Sequence, residues 1–324
     1  MILAGLESSA PEWVTSDDCG CDFVSCDLTG MSEARAQEIF QRSYSGMNIS
    51  KIVIGVRPKL FTANIRDPTP RKMLEGIEIL LRYACRNHKI DFVLHISSVA
   101  AADHLREQVY VSEFVPLPPK SEYTAPYDSF KRDSEDCITE ICNDHRVPHC
   151  HLRLSAIFSD DPSCIQCSAL GLQSRIGAFT PIAIDCNSSL NVSKAIRALL
   201  MEASKEKPKI RTVYYYTRPL HLEQPVPYGF YLQEFRKAHS ITTFSFWIPF
   251  CLVTWFTGIL HWIAKLFPSV PYMEAADYLM QVASREHSFD CSLLAGDFWN
   301  LRKEEETIFE CFVRRRKVLE GKLI

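Results

Sequence analysis

The sequence predicts an α/β protein built on a doubly wound parallel sheet, incomplete at its N-terminal end and followed by a smaller C-terminal region. Short apolar runs of strand length alternate with helical patterns between positions 20 and 160, which is typical of βαβ units. No glycine-rich turn precedes the first of these strands. A long uncharged run after position 240 departs from the composition of a soluble α/β domain.

The individual elements follow from the spacing of apolar residues along the chain. In chain order we predict strands at 22–26, 51–56, 91–97 and 149–158. Between them we predict helices at 33–44, 71–87 and 127–143. After position 159 the pattern is less regular, and we predict a helix at 193–203, a strand at 212–216 and a charged amphipathic helix at 304–323.

Length and charge limit the classes of protein that the chain can belong to. With 324 residues it can form one large or two modest domains, and we divide it into 1–200 and 201–324. Hydrophobic residues make up 47 % and the net charge is only -3, which excludes a mainly disordered chain. The 36 Lys and Arg against 39 Asp and Glu leave no positive surplus for phosphates, so no nucleic-acid partner is predicted.

The thirteen cysteines are spread irregularly, which favours reduced thiols in a cytosol-facing protein. Cys164 and Cys167 form a C-x-x-C pair, but a structural zinc site needs four ligands and no second pair follows. We therefore predict no metal site. The basic run at 314–317 is interpreted as a solvated helix face or, alternatively, as a contact for anionic lipid head groups.

The run at 240–260 holds no Asp, Glu, Lys, Arg or His across 21 positions. About 20 apolar residues suffice to cross a bilayer as a helix. Aromatic residues such as Trp247, Trp255 and Trp262 suit the membrane interface. We favour a membrane-associated segment over about 240–267, either spanning or lying in the interface. The alternative is a buried helical hairpin of a substrate-binding region.

Tyr127 and Lys131 are four residues apart, so both side chains lie on one face of the predicted helix. An ammonium group near a phenol favours the phenolate, which can exchange a proton with a hydroxyl or carbonyl group during hydride transfer. Ser98 follows the strand at 91–97 and can donate a hydrogen bond to the same substrate oxygen. Hydroxyls at the end of a strand also cap the turn that follows, and the residues alone leave both roles open.

These residues occur in a pattern that resembles the extended short-chain dehydrogenase/reductases. The matching stretches are Ser97-Ser98 after a strand, Pro126-Tyr127-x-x-x-Lys131-x-x-x-Glu135, Leu152-Arg153-Leu154-Ser155-Ala156-Ile157, Cys26-Asp27-Leu28-Thr29, Glu75-Gly76, and Asn191-Val192 with Ala195. Within that superfamily the chain is most similar to the 3β-hydroxysteroid dehydrogenase/isomerase branch, which includes the sterol-4α-carboxylate 3-dehydrogenases. The resemblance is good over about 20–200 and loose elsewhere.

The resemblance implies a Rossmann-like fold and an NAD- or NADP-dependent dehydrogenase that oxidises a 3β-hydroxyl group of a steroid or sterol. By position, Tyr127 would be the catalytic acid/base. Lys131 would bind the nicotinamide ribose and tune Tyr127, and Ser98 would orient the substrate oxygen.

The cofactor and the expected partners follow from the same resemblance. Asp27 would contact the adenine, and Ser155 and Ile157 would line the nicotinamide pocket. The implied partners are a sterol or steroid substrate and membrane lipid, on the endoplasmic reticulum. A homodimer is the assembly that the resemblance allows.

The start of the chain departs from this family. The family opens with a strand, a glycine-rich turn and a helix whose N-terminus binds the pyrophosphate. No G-x-G-x-x-G occurs in this sequence, and 1–6 is predicted to be a remnant of the second family strand. Either the true start lies upstream of Met1 or this form has lost the phosphate site. We expect the chain as given to bind NAD weakly or not at all.

Two other functions stay open. A nucleotide-sugar epimerase or another reductase would use the same Tyr, Lys and Ser chemistry, although the uncharged run argues against it. A catalytically silent, membrane-associated binding or scaffold protein would keep the fold without the glycine-rich turn.

Overall fold

A computed structural model describes residues 2–5, 22–25, 27–42, 49–56, 68–102, 106–176, 178–179, 182–242, 246–247 and 285–321, together with 252, 255, 256, 258, 259, 262, 263, 266, 281 and 282. The strands, in chain order, are β1 (Ile2–Gly5), β2 (Asp22–Ser25), β3 (Lys51–Ile54), β4 (Phe92–Ser98), β5 (Gln108–Val111), β6 (His149–Leu154), β7 (Ala156–Phe158), β8 (Ala178–Phe179), β9 (Cys186–Ser188), β10 (Val213–Tyr215), β11 (Phe246–Trp247) and β12 (His287–Phe289).

The helices with defined bounds are α1 (Glu33–Arg42), α2 (Thr69–Asn87), α3 (Pro126–Asp144), α4 (Ile165–Ile176), α5 (Ser189–Glu202), α6 (Tyr228–His239), α7 (Ser292–Asp297), α8 (Leu301–Glu304) and α9 (Ile308–Leu319). Short 3-10 turns occur at Leu28–Gly30, Val99–Ala102 and Lys120–Glu122.

Parallel strands form the centre of the fold. A four-stranded sheet has the order β10–β6–β4–β3, and β1 and β2 form a separate parallel pair. Among the described strands, β3 pairs only with β4. The predicted fold class, an α/β fold with a doubly wound parallel sheet, is confirmed.

The edge of β3 is consequently more open than the rest of the sheet. Val53 on this strand is 45 % exposed, whereas strands within a parallel sheet are normally buried on both faces. An unpaired, apolar edge can pair with another chain and is a site of aggregation.

Three predicted elements differ from the structure, and the reasons are local. The predicted helix at 193–203 begins four residues earlier, at Ser189, because the Ser188 side chain caps it by accepting from the Asn191 N–H. The predicted strand at 149–158 is two strands, because the chain leaves the central sheet at Ser155 and β7 pairs with β9. The predicted helix at 304–323 has its regular part only from Ile308, because Thr307 caps it in a reciprocal capping box with Glu310. The other predicted strands and helices before position 150 agree with the structure to within two residues at each end.

Within the basic run on α9, Lys317 is exposed and Arg314 and Arg316 are partly exposed, but Arg315 does not belong to a solvated face. Arg315 is only 4 % exposed, and its guanidinium donates to the carbonyl groups of Ser159 at 3.0 Å and Pro162 at 3.2 Å. Arg314 pairs with Glu306 at 2.8 Å. The sequence gives no sign of this role, because the carbonyl groups that Arg315 binds are about 150 positions away along the chain.

Apolar side chains cover both faces of the central sheet. Successive residues of β4 point to opposite faces, so that Leu94 packs with α5, α7 and α8 while Val93 packs with α2 and α3. The backbone of α2 also approaches the 3-10 turn at Leu28 very closely. A Cβ atom at Gly76 would overlap the carbonyl oxygen of Leu28 and lie 2.8 Å from its carbonyl carbon, so only glycine fits there.

The predicted membrane-associated segment at 240–267 falls largely outside the described residues. Helical backbone is described at 252, 255, 256, 258, 259, 262, 263 and 266. Over the part of the chain with a described structure, no helix has the length and hydropathy needed to cross a bilayer.

Candidate functional site

Lys131 joins α3 to the carboxyl ends of two neighbouring strands. Its Nζ donates to the carbonyl oxygen of Val56, just after β3, at 2.9 Å and to that of Ile96 in β4 at 3.2 Å. The side chain is 3 % exposed, and a buried ammonium group requires such partners. The carboxyl ends of the strands are where doubly wound folds bind their ligands. The predicted ribose-binding lysine therefore lies at the expected edge of the sheet.

Tyr127 lies in the first turn of α3, one turn before Lys131. The helix begins at Pro126, whose fixed φ favours the first helical position, and Ala125 is the N-cap residue. The Tyr127 side chain is half-buried, whereas the neighbouring Asp128 is buried. Four-residue spacing keeps Tyr127 and Lys131 on one face of the helix, as predicted.

Both serines at the end of β4 have defined partners. The Ser97 hydroxyl donates to Oε1 of Glu135 at 2.6 Å. The Ser98 hydroxyl accepts a hydrogen bond from the backbone N–H of Ala100 at 3.2 Å and so caps the 3-10 turn that follows. The capping role that the sequence left open is thus present. This capping bond uses only a lone pair of the Ser98 hydroxyl, because a hydroxyl group can accept one hydrogen bond and donate another.

The strand register locates the two remaining candidates, Ser155 and Ile157. Ser98 is aligned with Leu154 of β6, which directly precedes Ser155. The Ser155 hydroxyl donates to the carbonyl oxygen of Thr217, and Ile157 lies in β7 opposite Asn187 of β9. Both predicted pocket residues are partly exposed. Their contact with a nicotinamide ring stays a prediction.

Asp27 lies just after β2, at the carboxyl end of the separate strand pair. Its Oδ1 accepts hydrogen bonds from the Thr29 N–H at 2.9 Å and the Thr29 hydroxyl at 2.7 Å. These bonds lower the pKa of the Asp27 carboxyl group. The side chain is exposed, and the predicted adenine contact stays a prediction. The stretch between β1 and β2 lies outside the described residues.

A buried ion pair between Arg153 and Glu135 connects the helix that carries Lys131 to the sheet. One edge of the Arg153 guanidinium group binds Glu135 through two hydrogen bonds, with Nε donating to Oε1 at 2.9 Å and Nη2 donating to Oε2 at 2.7 Å. Nη1 of Arg153 donates to the Tyr215 hydroxyl at 2.9 Å. Burial alone would raise the pKa of Glu135, but the hydrogen bonds and charge of Arg153 outweigh it and lower that pKa. Since Glu135 also accepts from Ser97, this pair connects α3 to the ends of β4, β6 and β10.

Two buried histidines lie next to one another on neighbouring strands. His95 of β4 is aligned with His151 of β6, and their Nδ1 atoms are 3.1 Å apart, so one ring donates to the other. Nε2 of His151 is 2.8 Å from the Thr139 hydroxyl. Burial lowers the pKa of both rings, that of His151 to about 4. Both are therefore neutral near pH 7, which avoids a second buried positive charge close to Lys131.

Glu135 and Arg153 both lie within the stretches that match the family, but the sequence alone assigns them no role. A signal was present, because a lone arginine within an apolar strand requires a buried carboxylate. Which carboxylate binds Arg153 depends on how α3 is rotated against the sheet, and the spacing of residues within α3 does not determine that rotation.

Comparisons with known proteins identify the fold. No protein-family profile matches the sequence, and no curated protein matches it. The chain is similar in structure to L-threonine dehydrogenase from Phytophthora infestans, with a TM-score of 0.64 and 15 % identity over 93 % of this chain and 87 % of that one. It is also similar to UDP-glucuronic acid 4-epimerase from Bacillus cereus in complex with NAD, with a TM-score of 0.60 and 11 % identity over 93 % and 81 %.

A third similar structure is the Bordetella bronchiseptica enzyme WbmH in complex with NAD+. Here the TM-score is 0.64 and the identity 11 %, over 99 % of this chain and 90 % of that one. At such identities the likeness shows a shared fold. This chain therefore has the fold on which a dehydrogenase and an epimerase are built.

Proposed function

We propose that this protein is an NAD(P)-dependent oxidoreductase that converts a secondary hydroxyl group to a ketone. The observation that carries this proposal is the placement of Lys131, which is fixed at the carboxyl ends of β3 and β4 one helical turn from Tyr127. The fold is shared with two structures that contain bound NAD or NAD+. The cofactor, when bound, supplies the hydride acceptor.

The residues present fit the nicotinamide end of such a cofactor. Lys131 would place a positive charge beside the ribose, and this charge stabilises the Tyr127 phenolate. Tyr127 then takes the proton of the substrate hydroxyl group, while Ser98 donates a hydrogen bond to the same oxygen. The sequence supplies no glycine-rich turn for the pyrophosphate. We therefore propose low cofactor affinity, and assays of this chain require millimolar cofactor.

The proposed substrate is a 3β-hydroxysteroid or a sterol. Its support is the resemblance in sequence together with the apolar residues that follow α6, which suit a hydrophobic substrate taken up from a membrane. A nucleotide-sugar epimerase is the competing candidate, and it is favoured by the structural similarity to an epimerase for UDP-glucuronic acid. Both candidates use the same Tyr127 and Lys131, so the substrate assay must include both compound classes.

The test is turnover at saturating NAD with 3β-hydroxysteroids, a 4-carboxysterol and UDP-sugars. We expect oxidation of a steroid or sterol, and a loss of about 10²- to 10⁴-fold in kcat for Tyr127→Phe with cofactor binding retained. Lys131→Met should weaken both turnover and cofactor binding. Lys120→Met, an exposed lysine, is the control. Turnover of UDP-sugars alone would assign the epimerase function, and near-normal steroid turnover by Tyr127→Phe would contradict the proposed acid/base.

We also propose that the segment at 240–267 binds the surface of a phospholipid bilayer such as that of the endoplasmic reticulum. Helical backbone is described at eight positions of this segment, between 252 and 266. Large apolar side chains at these positions are more than a third exposed, namely Leu252, Trp255, Phe256, Ile259, Trp262 and Leu266. Tryptophan and phenylalanine on an exposed apolar face favour the membrane interface.

Flotation of the full chain with phospholipid vesicles tests this membrane proposal. The wild-type chain should float with vesicles, and a Trp255→Gln, Trp262→Gln double variant should stay at the bottom of the gradient. The control is Trp299→Gln, because Trp299 is 57 % exposed outside the run and should not affect flotation. Failure of the wild type to float contradicts the proposal. If it instead sediments as a dimer that the double variant disrupts, the face binds a second copy.

A further inference from the structure

Two cysteines lie together at the start of α4. The carbonyl group of Cys164 accepts the first hydrogen bond of the helix, from the Ser168 N–H at 3.0 Å, and Cys167 follows in the first turn. Residues three apart on a helix face each other at about 5–6 Å between Cβ atoms. A disulfide needs Cβ atoms about 3.5–4.5 Å apart, so this first turn must bring the two Cβ atoms about 1–2 Å closer to form one.

The two sulfur atoms already interact, and Cys164 carries the more acidic thiol. Interaction with the neighbouring Cys167 is the main cause that lowers the pKa of Cys164, and the same interaction raises the pKa of Cys167. The positive charge of the buried Arg315 acts in the same direction on Cys164, because it binds the loop that leads into α4. A thiolate at the N-terminus of a helix beside an arginine is typical of reactive cysteines.

Access to the two thiols differs. Cys164 is half-buried, and Cys167 is 1 % exposed in the apolar cluster that α4 forms with α6 and α9. An oxidant can therefore reach Cys164 but not Cys167. Burial raises the pKa of every other described cysteine, which leaves them poor nucleophiles at neutral pH: Cys85, Cys137, Cys142, Cys150, Cys186, Cys291 and Cys311.

We propose that Cys164 and Cys167 form a reversible intramolecular disulfide, with Cys164 as the attacking residue and a small disulfide such as oxidised glutathione as the oxidant. The Cys164 thiolate attacks one sulfur of glutathione disulfide, which forms a mixed disulfide and releases one glutathione thiolate. Cys167 loses its proton to that thiolate and attacks the Cys164 sulfur. The second glutathione leaves as a thiolate and takes a proton from solvent. Two protein thiols are oxidised and one glutathione disulfide is reduced.

This disulfide is favoured over a metal site. Two thiolates supply half of the ligands of a structural zinc ion. Over the described residues, no group of three or more His, Cys, Asp or Glu side chains is placed to bind a metal.

Oxidation would change the contacts at the end of β7. In the thiol form, Sγ of Cys164 lies 3.7 Å from the carbonyl oxygen of Ile157, and Sγ of Cys167 donates to that of Ser159 at 3.3 Å. A disulfide has no S–H donor, so both contacts are lost. Ile157 is the residue expected beside the nicotinamide. We therefore infer weaker cofactor binding by the oxidised chain, and this consequence rests on the proposed function.

The disulfide itself is tested by mass spectrometry of the full chain after incubation with mixtures of reduced and oxidised glutathione. In wild type, the peptide that contains both cysteines should lose two hydrogen atoms, and dithiothreitol should restore them. Cys167→Ser should trap glutathione on Cys164, and Cys164→Ser should give neither product. Cys137→Ser, which removes another half-buried thiol, should behave as wild type. The rate of alkylation of Cys164 should rise with pH at a midpoint below that of an ordinary thiol.

Two results would overturn this proposal. One is a peptide that stays reduced in oxidised glutathione while the protein remains folded by circular dichroism. The other is a glutathione adduct on Cys137 rather than Cys164. The effect on the cofactor is measured separately, by titrating reduced and oxidised chains with NADH. Equal affinities would contradict the link to the cofactor site. Absence of NADH binding in both forms would contradict the proposed function, while the mass measurement still decides the disulfide.

Discussion

Arg153→Met is expected to lower the free energy of unfolding by about 3–5 kcal/mol, because it leaves the buried Glu135 carboxylate without its partner. Arg153 and Glu135 are 4 % and 3 % exposed, and the two hydrogen bonds between them are within 2.9 Å. Water cannot replace the guanidinium there without opening the contact between α3 and the sheet. Urea unfolding at pH 7, followed by circular dichroism, gives the change directly.

Two controls show whether the lone charge is the cause. The double variant Arg153→Met, Glu135→Leu should be more stable than Arg153→Met alone, since it removes the uncompensated carboxylate as well. Arg71→Met removes an exposed ion pair with Glu75 within α2, and it should cost less than about 1 kcal/mol. If Arg153→Met costs no more than Arg71→Met, the pair does not stabilise the fold.

Gly76→Ala should destabilise the protein by about 3 kcal/mol or more through a single methyl group. The added Cβ would overlap the carbonyl oxygen of Leu28, and backbone cannot move aside as a flexible side chain can. α2 or the 3-10 turn must therefore shift, which disturbs the packing next to Asp27. Thermal unfolding monitored by circular dichroism measures the loss.

Gly171→Ala is the matched control for this substitution. Gly171 is also inside a helix, α4, but its Cβ would meet only the Phe235 ring at 3.7 Å, an ordinary contact. Alanine is a better helix former than glycine, so this variant should keep or slightly raise the stability. Equal melting temperatures for the two variants would show that the close approach of α2 to Leu28 is wrong.

The sequence predicted the sheet and the position of the central site residues because both depend on local spacing. When parallel strands alternate with helices, the carboxyl ends of the strands lie at one edge of the sheet, and the helices begin at that edge. Ser98 ends a strand and Lys131 lies near the start of a helix, so both are expected there. The four-residue spacing of Tyr127 and Lys131 is a property of any helix.

The parts that were missed depend on contacts between elements distant along the chain. Glu135 resembles an exposed helix residue until α3 is rotated onto β6, where Arg153 faces it. The closeness of Gly76 to Leu28 needs the path of α2 across the 3-10 turn. The arginines of α9 fold back onto the loop before α4, and no periodicity in α9 itself carries that information.

Hydride transfer from a secondary alcohol to the nicotinamide of NAD is tested most directly with an isotopic label. The chain is incubated with millimolar NAD and a 3β-hydroxysteroid that carries deuterium at carbon 3, and the reduced cofactor is analysed by mass spectrometry. Our account predicts that deuterium appears in the NADH and that Tyr127→Phe abolishes the transfer. Two results would contradict this hydride transfer. One is that the NADH stays unlabelled with every steroid, sterol and nucleotide sugar tested, although the chain is folded. The other is that Tyr127→Phe labels the NADH as fully as the wild type does.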